Sequence, residues 1–371
     1  MIELGEVTLL LSDVLGTKGM SRRIRRALGE LGVRWRRDIT VEPRDYDSVP
    51  FFARHMGESR LVIHAAIEAL RRHDLPEGGL VIVNGWENGL AALRDPRSLR
   101  VVLAMDTFPD IGLLRGAGLL DGGPVTSGLR RMSVSVSRRA YARESERVVG
   151  LLPVSHSVAR AAIRTFQAAD EIPCHVTSSP QPLIATDSGH RWPSNELRAV
   201  MVGNDLRRKR GEVFADACAR ASIRGRVRGV LVSNDPAARS ISDAYGLELV
   251  TGVRDPERVH QLFRDADVSV LPTDRDHYPN VVAESMAAGT PVIATDVGGI
   301  SEMVKHDRTG WLLPRGASAQ ELAQTLVRVS EEADLGRIRA ETIEFARATL
   351  SWSGFLDGVE GVLRATAVAL G

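Results

Sequence analysis

The chain has 371 residues, of which 43% are hydrophobic and 26% charged, and its formal net charge is +1. This size and composition are typical of a globular protein with two domains, and the balanced charge argues against a nucleic-acid partner. No apolar run approaches the ~18 residues that a membrane span requires, and Glu3 and Glu6 interrupt any amino-terminal signal pattern. We therefore expect a cytoplasmic protein, with peripheral contact to the inner membrane face as a further option.

The first residues predict the start of a doubly wound α/β domain. The apolar run at residues 7–11 is typical of a buried strand, and helical spacing begins at Ser21. The segment between them contains Gly16 and Gly19, whose backbone could approach a ligand. An ordinary strand-to-helix turn explains the same residues equally well.

Arginines are concentrated between residues 22 and 37. They are Arg22, Arg23, Arg25, Arg26, Arg34, Arg36 and Arg37. Such a cluster is usually a solvated helix face, and that interpretation is the preferred one. The alternative is contact with anionic lipid headgroups or with a phosphorylated acceptor.

Two further buried strands are predicted at residues 80–85 and 100–105. Trp86 and Glu87 follow the first and Asp106 follows the second, so all three are expected at the carboxyl edge of a parallel sheet.

Three other features complete the first half. Residues 112–123 are rich in glycine and leucine and predict a mobile loop. Ser155 or Ser157 is expected to cap a helix. The polar residues 185–195 predict a linker.

The second half is organised around residues 265–299. An apolar run at 268–271, a polar loop, helical spacing from Asn280 and a second apolar run at 291–294 predict one βαβ unit of a parallel sheet. The loop that follows each strand is expected at the carboxyl edge of that sheet, where open α/β sheets bind ligands.

The start of the helix in this unit suits a phosphate and a sugar. The N–H groups of Asn280, Val281 and Val282 lie in its first turn, where amide donors and the positive end of the helix dipole stabilise an anion. Asp276 and Glu284 flank that turn with seven residues between them, and carboxylates accept hydrogen bonds from sugar hydroxyls. For Glu284 the alternative is a solvated helix face.

Together these features resemble the carboxyl half of family 4 glycosyltransferases, whose pattern is E-x7-E, an EAMA-type helix, a GTPVI-type strand and a GG loop. The matching residues are Asp276-x7-Glu284, Tyr278-Pro279-Asn280-Val281, the segment AESMAAGTPVIATDVGGISEMV and Thr309-Gly310-Trp311-Leu312-Leu313. The resemblance is weak in the first half. Three residues depart from the pattern: Asp276 replaces a Glu, Asn204 replaces an Arg and Met105 replaces a His.

The resemblance implies an α/β protein of the GT-B fold, with two Rossmann-like αβα domains facing a deep interdomain cleft. Residues 1–186 would bind the acceptor, together with a helix at about residues 354–371 that crosses back. Residues 196–353 would bind a nucleotide sugar.

On the donor side, Lys209-Arg210-Gly211 matches the RKG form of the family. Cations at this place stabilise the charge of the diphosphate as the glycosidic bond breaks. A solvated basic loop is the alternative. The donor-binding residues that the resemblance implies are Gly203, Lys209, Arg210, Val253, Arg254, Tyr278, Pro279, Asn280, Val281, Val282 and Glu284.

The resemblance also implies catalytic and acceptor residues. The catalytic set is Asp276, Lys209, Arg210 and Asp106. The acceptor or cleft loops are Gly16, Thr17, Lys18, Gly19, Trp86, Glu87 and Asp106. For Asp106 the alternative is a carboxylate that caps a loop.

The reaction implied is transfer of a sugar from a nucleotide-diphosphate sugar to a small-molecule, glycan or lipid-linked acceptor, with retention of configuration. No cofactor beyond that co-substrate and no metal is expected. Cys174 and Cys218 fit no metal-binding spacing and are expected to be buried thiols. Two alternatives stay open: a nucleotide-sugar 2-epimerase on the same fold, and a non-catalytic nucleotide-sugar-binding subunit.

Overall fold

The structure is a computed structural model that describes residues 2, 4–12, 18–42, 58–116, 124–166, 171–182, 196–223 and 227–370. The contacts divide the chain into two units. Unit 1 comprises Met1–Arg115, Leu120–Ser178 and Phe355–Gly371, and unit 2 comprises Gly116–Leu119 and Ser179–Gly354. The predicted linker, together with Gly16 and Thr17, lies outside the described residues.

Unit 1 contains a five-stranded parallel sheet in the order β2-β1-β3-β4-β5. The strands are β1 Val7–Ser12, β2 Trp35–Val41, β3 Leu80–Asn84, β4 Arg100–Met105 and β5 Val148–Pro153. β1 and β3 are buried along their whole length, which is why their sequences are continuous apolar runs rather than alternating ones.

Over the described residues, six α-helices precede the second sheet in the chain. They are α1 Lys18–Glu30, α2 Glu58–Arg71, α3 Trp86–Leu93, α4 Ile111–Gly116, α5 Pro124–Arg143 and α6 His156–Ile163. The hydroxyl of Ser155 accepts a hydrogen bond from the N–H of Val158 (3.2 Å), so Ser155 is the N-cap of α6. The predicted loop at 112–123 is wrong up to Gly116, because that part is helical, and the rest lies outside the described residues.

Unit 2 contains a six-stranded parallel sheet in the order β11-β10-β9-β6-β7-β8. The strands are β6 Leu197–Val202, β7 Val227–Val232, β8 Glu248–Val250, β9 Val268–Leu271, β10 Val292–Thr295 and β11 Gly310–Leu313. The connecting helices are α7 Gly211–Ser222, α8 Ala238–Tyr245, α9 Pro256–Arg264, α10 Asn280–Ala287, α11 Ile300–Met303, α12 Ala319–Glu332 and α13 Leu335–Thr349. The predicted βαβ unit is β9, α10 and β10.

The last helix, α14 Trp352–Leu370, belongs to unit 1 from Phe355 onward. Within that unit the hydroxyl of Thr366 donates a hydrogen bond to the carbonyl of Val149 in β5 (2.9 Å). Gly150 and Gly358 allow this close approach, because a Cβ at Gly150 would press on Val362 and a Cβ at Gly358 would overlap the ring of His175.

Each sheet has one position where the strand order reverses. In unit 1 it lies between β1 and β3, and in unit 2 between β6 and β9. Open α/β sheets bind ligands beyond the carboxyl ends of the strands at this position. The loops after β6 and β9, and those after β1 and β3, are therefore where the site residues should be sought.

Candidate functional site

The loops that follow β6 and β9 are joined to each other at the reversal point of unit 2. The carbonyl oxygen of Arg208 accepts hydrogen bonds from the N–H of Asp274 (3.2 Å) and from the hydroxyl of Thr273 (3.3 Å). Because the two strands are hydrogen-bonded neighbours, these bonds hold the basic loop of β6 against the acidic loop of β9.

Lys209 lies at the centre of this junction. Its ammonium group donates a hydrogen bond to the carbonyl of Val202 (3.3 Å) and lies directly over Gly203, where any Cβ would overlap it. Burial lowers the pKa of Lys209, although the nearby carboxylates of Asp276 and Glu284 oppose that change. The structure therefore brings Lys209 together with the two acids that the sequence singled out.

Arg208 pairs with Asp276, and the sequence prediction missed it. Its Nη1 donates to Oδ2 of Asp276 (2.9 Å) and its Nε donates to Oδ2 of Asp205 (2.9 Å). Burial lowers the pKa of the Arg208 guanidinium, but the carboxylates of Asp276 and Asp205 raise it above its usual value. Burial raises the pKa of the Asp205 carboxyl, but hydrogen bonds from Arg208 lower it below its usual value.

Arg210 has different partners from Arg208, and its predicted contact with the donor diphosphate stays a prediction. Its guanidinium donates to the carbonyl of Ala317 (2.8 Å) and lies 3.4 Å from a carboxylate oxygen of Asp274. Arg210 has φ 57°, a left-handed backbone conformation, and is the N-cap of α7. In this structure Arg208, rather than Arg210, is the arginine bound to Asp276.

Helix α10 begins at Asn280 as predicted, with Pro279 as its N-cap. The N–H groups of Asn280 and Val281 have no acceptor four residues back within the helix. The N–H of Val282 instead donates to the carbonyl of Pro279 (3.0 Å), so its predicted availability to a ligand is wrong. The side-chain oxygen of Asn280 accepts a hydrogen bond from the hydroxyl of Ser179 (2.6 Å), which fixes the first turn.

The glycine pair after β10 supports the Asp276 loop. Gly298 has φ +59°, and a Cβ there would overlap the carbonyl of Asp276. The next N–H, that of Gly299, donates to the carbonyl of His277 (2.6 Å). Gly298 is thus required because another backbone segment approaches it closely.

The loops after β7 and β8 are connected to this region by asparagines. Oδ1 of Asn204 accepts a hydrogen bond from the N–H of Asn234 (2.9 Å), and Oδ1 of Asn234 accepts one from Gly252 (2.7 Å). Val253 packs against an apolar cluster of unit 2, and Arg254 is exposed. Tyr278 is half-buried and also packs on the core.

The structure agrees with only some of the predictions for acceptor residues in unit 1. Asp106 is half-buried after β4, as expected. Trp86 is wrong as a loop residue, because it begins α3, is buried, and gives its carbonyl to the hydroxyl of Tyr141. Glu87 is half-buried in the same helix. Lys18 and Gly19 lie in α1 and not in a loop.

A buried amide network at the reversal point of unit 1 had no signal in the sequence. The Oδ1 of Asn84 accepts a hydrogen bond from the N–H of Ser12 (2.6 Å). Its Nδ2 donates to the carbonyl of Ser12 (3.0 Å) and the hydroxyl of Ser21 (2.9 Å). Asn84 therefore joins the ends of β1 and β3 to α1.

The potential metal ligands and the two cysteines give the following picture. Over the residues that the structure describes, no three His, Cys, Asp or Glu side chains form a group able to hold a metal ion. Cys218 is buried as expected, but Cys174 is exposed, so the expectation of two buried thiols is wrong for Cys174. Burial raises the pKa of the Cys218 thiol.

Solved structures with this architecture define the class of fold. Sucrose-phosphate synthase from Thermosynechococcus elongatus matches 98% of this chain and 100% of its own, with a TM-score of 0.70 and 19% identity. HepE from Anabaena in complex with UDP matches 96% of this chain and 98% of its own, with a TM-score of 0.64 and 14% identity. At such identities the likeness shows the fold alone, and it confirms the predicted GT-B fold with two parallel-sheet α/β domains.

Comparison of sequences shows which proteins the second half of the chain is similar to. Residues 196–332 match the family model described as glycosyl transferases group 1. The putative teichuronic acid biosynthesis glycosyltransferase TuaC of Bacillus subtilis is 34% identical over 141 residues, which are 38% of this chain and 34% of TuaC. The match thus spans about a third of that relative. The stretch covered by the family model contains Arg208, Lys209, Asp276 and Glu284.

Proposed function

We propose that this protein is a retaining, metal-independent glycosyltransferase of family 4 that transfers a sugar from a nucleotide-diphosphate sugar. One observation carries the proposal: Lys209, the Arg208–Asp276 pair and Glu284 lie together at the reversal point of the unit 2 sheet, beside the first turn of α10. The similarity to group 1 glycosyltransferases over the same residues supports it.

The donor diphosphate binds between the ammonium of Lys209 and the N–H groups of Asn280 and Val281. A partly desolvated cation and the N–H groups at the start of a helix bind the diphosphate more strongly as negative charge develops on it. Glu284 accepts hydrogen bonds from ribose hydroxyls, and Asp276 accepts them from the donor sugar. Each oxygen of Asp276 already accepts one hydrogen bond, from Arg208 or from the N–H of His277, which keeps the carboxylate in one orientation.

Transfer breaks the bond between the anomeric carbon and the diphosphate oxygen, and the electron pair leaves with the diphosphate. The acceptor hydroxyl oxygen bonds to the same carbon from the same face, and its proton passes to the departing phosphate oxygen. Configuration is then retained without a covalent nucleophile. Arg208 takes over the electrostatic role that the sequence assigned to Arg210, since Arg208 is the one beside Asp276. Asp106 and Glu87 remain acceptor candidates on the unit 1 sheet edge.

The test is nucleotide release from uridine, guanosine and adenosine diphosphate hexoses, with and without a panel of sugar and lipid-linked acceptors. The account predicts release that depends on an acceptor, an α-linked product from an α-linked donor by NMR, and unchanged turnover in EDTA. Isomerisation of the donor without an acceptor would indicate an epimerase. Donor binding without turnover would indicate a binding subunit.

Arg208→Ala and Arg210→Ala form a matched pair for the assignment of roles. Both remove one guanidinium from the same loop, but only Arg208 touches Asp276. We expect Arg208→Ala to lower the turnover-to-KM ratio by about 10²-fold, as loss of a transition-state cation contact does. Arg210→Ala should affect thermal stability more than donor affinity. A larger loss of activity in Arg210→Ala would return the role to Arg210.

A further inference from the structure

Helix α5 has one face that is held by the core of unit 1. Its buried side chains recur at the spacing of one helix face: Val134, Ser137 and Tyr141. The ring of Tyr141 packs against that of Phe108, with 5.1 Å between the ring centroids. The position of the helix is therefore fixed, and so is the face that it turns outward.

The opposite face consists of Met132, Val136, Arg139 and Arg143, which we call the α5 outer face. At 3.6 residues per turn these four side chains lie on the side away from Tyr141. All four are exposed, Met132 by 55% and Val136 by 46%.

Exposed apolar side chains of this size are rare elsewhere. Among the described residues four large hydrophobic side chains are exposed, and besides Met132 and Val136 they are Ile223 and Val368, which stand on other elements. Two exposed apolar residues one turn apart on the same helix are therefore a local feature, and apolar patches on a surface mark interaction sites.

The charge of α5 has one sign. Its 20 residues include five arginines and no acidic residue. Arg138, which lies beside the core-facing side, is 3.7 Å from the carboxylate of Asp110. Just past the end of the helix, Glu144 pairs with Arg147 (2.7 Å). No described carboxylate forms an ion pair with Arg139 or Arg143.

The arginine cluster of α1 and β2 is different. Arg25 pairs with Asp38 (2.7 Å), Arg26 pairs with Glu30 (2.7 Å), and Arg36 pairs with Glu6. These carboxylates offset much of the positive charge between residues 22 and 37. The membrane contact that the sequence offered as the alternative for this cluster is therefore better supported on α5.

We propose that the α5 outer face docks on an anionic lipid surface. Met132 and Val136 enter the headgroup layer, and Arg139 and Arg143 contact lipid phosphates. A helix that lies in the interface plane needs these two features on one face. A stable protein partner would require about 20 or more residues on this side of an interface, whereas the exposed apolar surface here is confined to two side chains. The proposal is independent of the transfer reaction.

The test is co-sedimentation of the full chain with vesicles of phosphatidylglycerol mixed with phosphatidylcholine, and with vesicles of phosphatidylcholine alone. We expect binding to the anionic vesicles only, weakened by salt. Arg139→Glu/Arg143→Glu should lower the partition coefficient roughly tenfold or more. Met132→Ser/Val136→Ser should lower it severalfold. All four positions are exposed, so circular dichroism and melting temperature should stay unchanged.

Two matched controls make the result specific. Arg239→Glu/Arg347→Glu makes the same change in net charge at exposed positions of unit 2, and Ile223→Ser removes an exposed apolar side chain there. Both should keep vesicle binding near that of the native protein. Equal loss in the charge control would show that only net charge matters and would overturn the proposal. Equal binding to neutral vesicles, or none to anionic vesicles, would overturn it as well.

Over the described part of the chain, every helix is too short or too polar to cross a bilayer. The proposed contact is accordingly a contact with the surface, made by one face of a helix whose other face stays in the protein core.

Discussion

The carboxyl edges of the two sheets are held together by different chemistry. In unit 2 the loops after β6 and β9 are joined by charges, with Arg208 bound to Asp276 beside a half-buried Lys209. In unit 1 the ends of β1 and β3 are joined by a neutral amide, with Asn84 bonded to Ser12. A charged junction can bind and release an anionic diphosphate. A neutral buried junction only holds the ends of the two strands in place. The difference supports the proposal that unit 2 binds the donor.

The largest effect is expected from Lys209→Ala. Its half-buried ammonium is the cation that we propose binds the diphosphate, so its loss should lower turnover by about 10²- to 10³-fold. Lys305→Ala is the matched control, because the Lys305 amine also donates to a backbone carbonyl, that of Ser301 (2.9 Å), but is not part of the proposed donor site. Steady-state kinetics on both variants decide the point. Similar losses in the two would remove Lys209 from the site.

A smaller effect is expected from Gly298→Ala. The added methyl overlaps the carbonyl of Asp276, so the acidic loop must move away from Arg208, and donor affinity should fall roughly tenfold while stability falls by about 1–3 kcal/mol. Gly316→Ala is a control that introduces the same backbone strain without a steric overlap. Gly316 also has a positive φ, of +78°, but open space around its Cβ position. Calorimetric titration should show normal donor affinity for Gly316→Ala; a tenfold loss there would mean that strain alone is responsible.

The pH dependence of donor binding should sharpen the assignment of Lys209. Burial lowers the pKa of Lys209 from its ordinary 10.5, so its charge is lost at a lower pH than in the unfolded chain. Donor affinity should therefore decline as the pH rises toward 10.5, and the decline should begin below that value. For stability the sign is opposite: the neutral form is favoured by folding, so this contribution is lost as the pH falls through the same window. Lys209→Arg should abolish the decline, and its persistence in that variant would contradict the assignment.

The smallest effect on donor affinity is expected from Asn84→Ala. Removing the amide leaves the N–H of Ser12 without its acceptor, which should cost about 1–3 kcal/mol in unit 1. Hydrogen exchange of peptides from β1 and β3 should speed up accordingly, while donor binding by unit 2 stays unchanged. Asn234→Ala, which removes an exposed amide bonded to Gly252, should leave exchange in unit 1 unaltered. Weakened donor binding in Asn84→Ala would contradict the claim that the sheet edge of unit 1 does not take part in donor binding.

Much of the fold could be predicted from the sequence, since parallel strands buried on both faces are apolar runs that end at glycine or polar residues. The positions of β9, α10 and β10, and the closeness of Asp276 and of Glu284 to Lys209, follow from such local patterns. The role of Arg208 could not be predicted. Four basic residues follow one another at 207–210, and their order alone does not indicate which of them meets Asp276.

Unit 1 shows the same limit on a longer scale. Trp86 follows a strand and is apolar and aromatic, so a place at the sheet edge was a reasonable expectation. It is buried because α5, about 50 residues later in the chain, brings Tyr141 against its carbonyl. Local pattern carries no information on such a contact, and the same holds for the bonds from Asn84 to Ser12 and Ser21.

The most direct test of the central claim is calorimetric titration of the native protein, Glu284→Ala and the exposed-residue control Glu344→Ala with uridine, guanosine and adenosine diphosphates and their hexose derivatives. The account predicts that one nucleotide series binds the native protein and Glu344→Ala alike. Glu284→Ala should bind it at least tenfold more weakly, because a carboxylate that accepts ribose hydrogen bonds is lost. Equal affinity in all three proteins, or no binding of any nucleotide by folded native protein, would contradict the donor site described in unit 2.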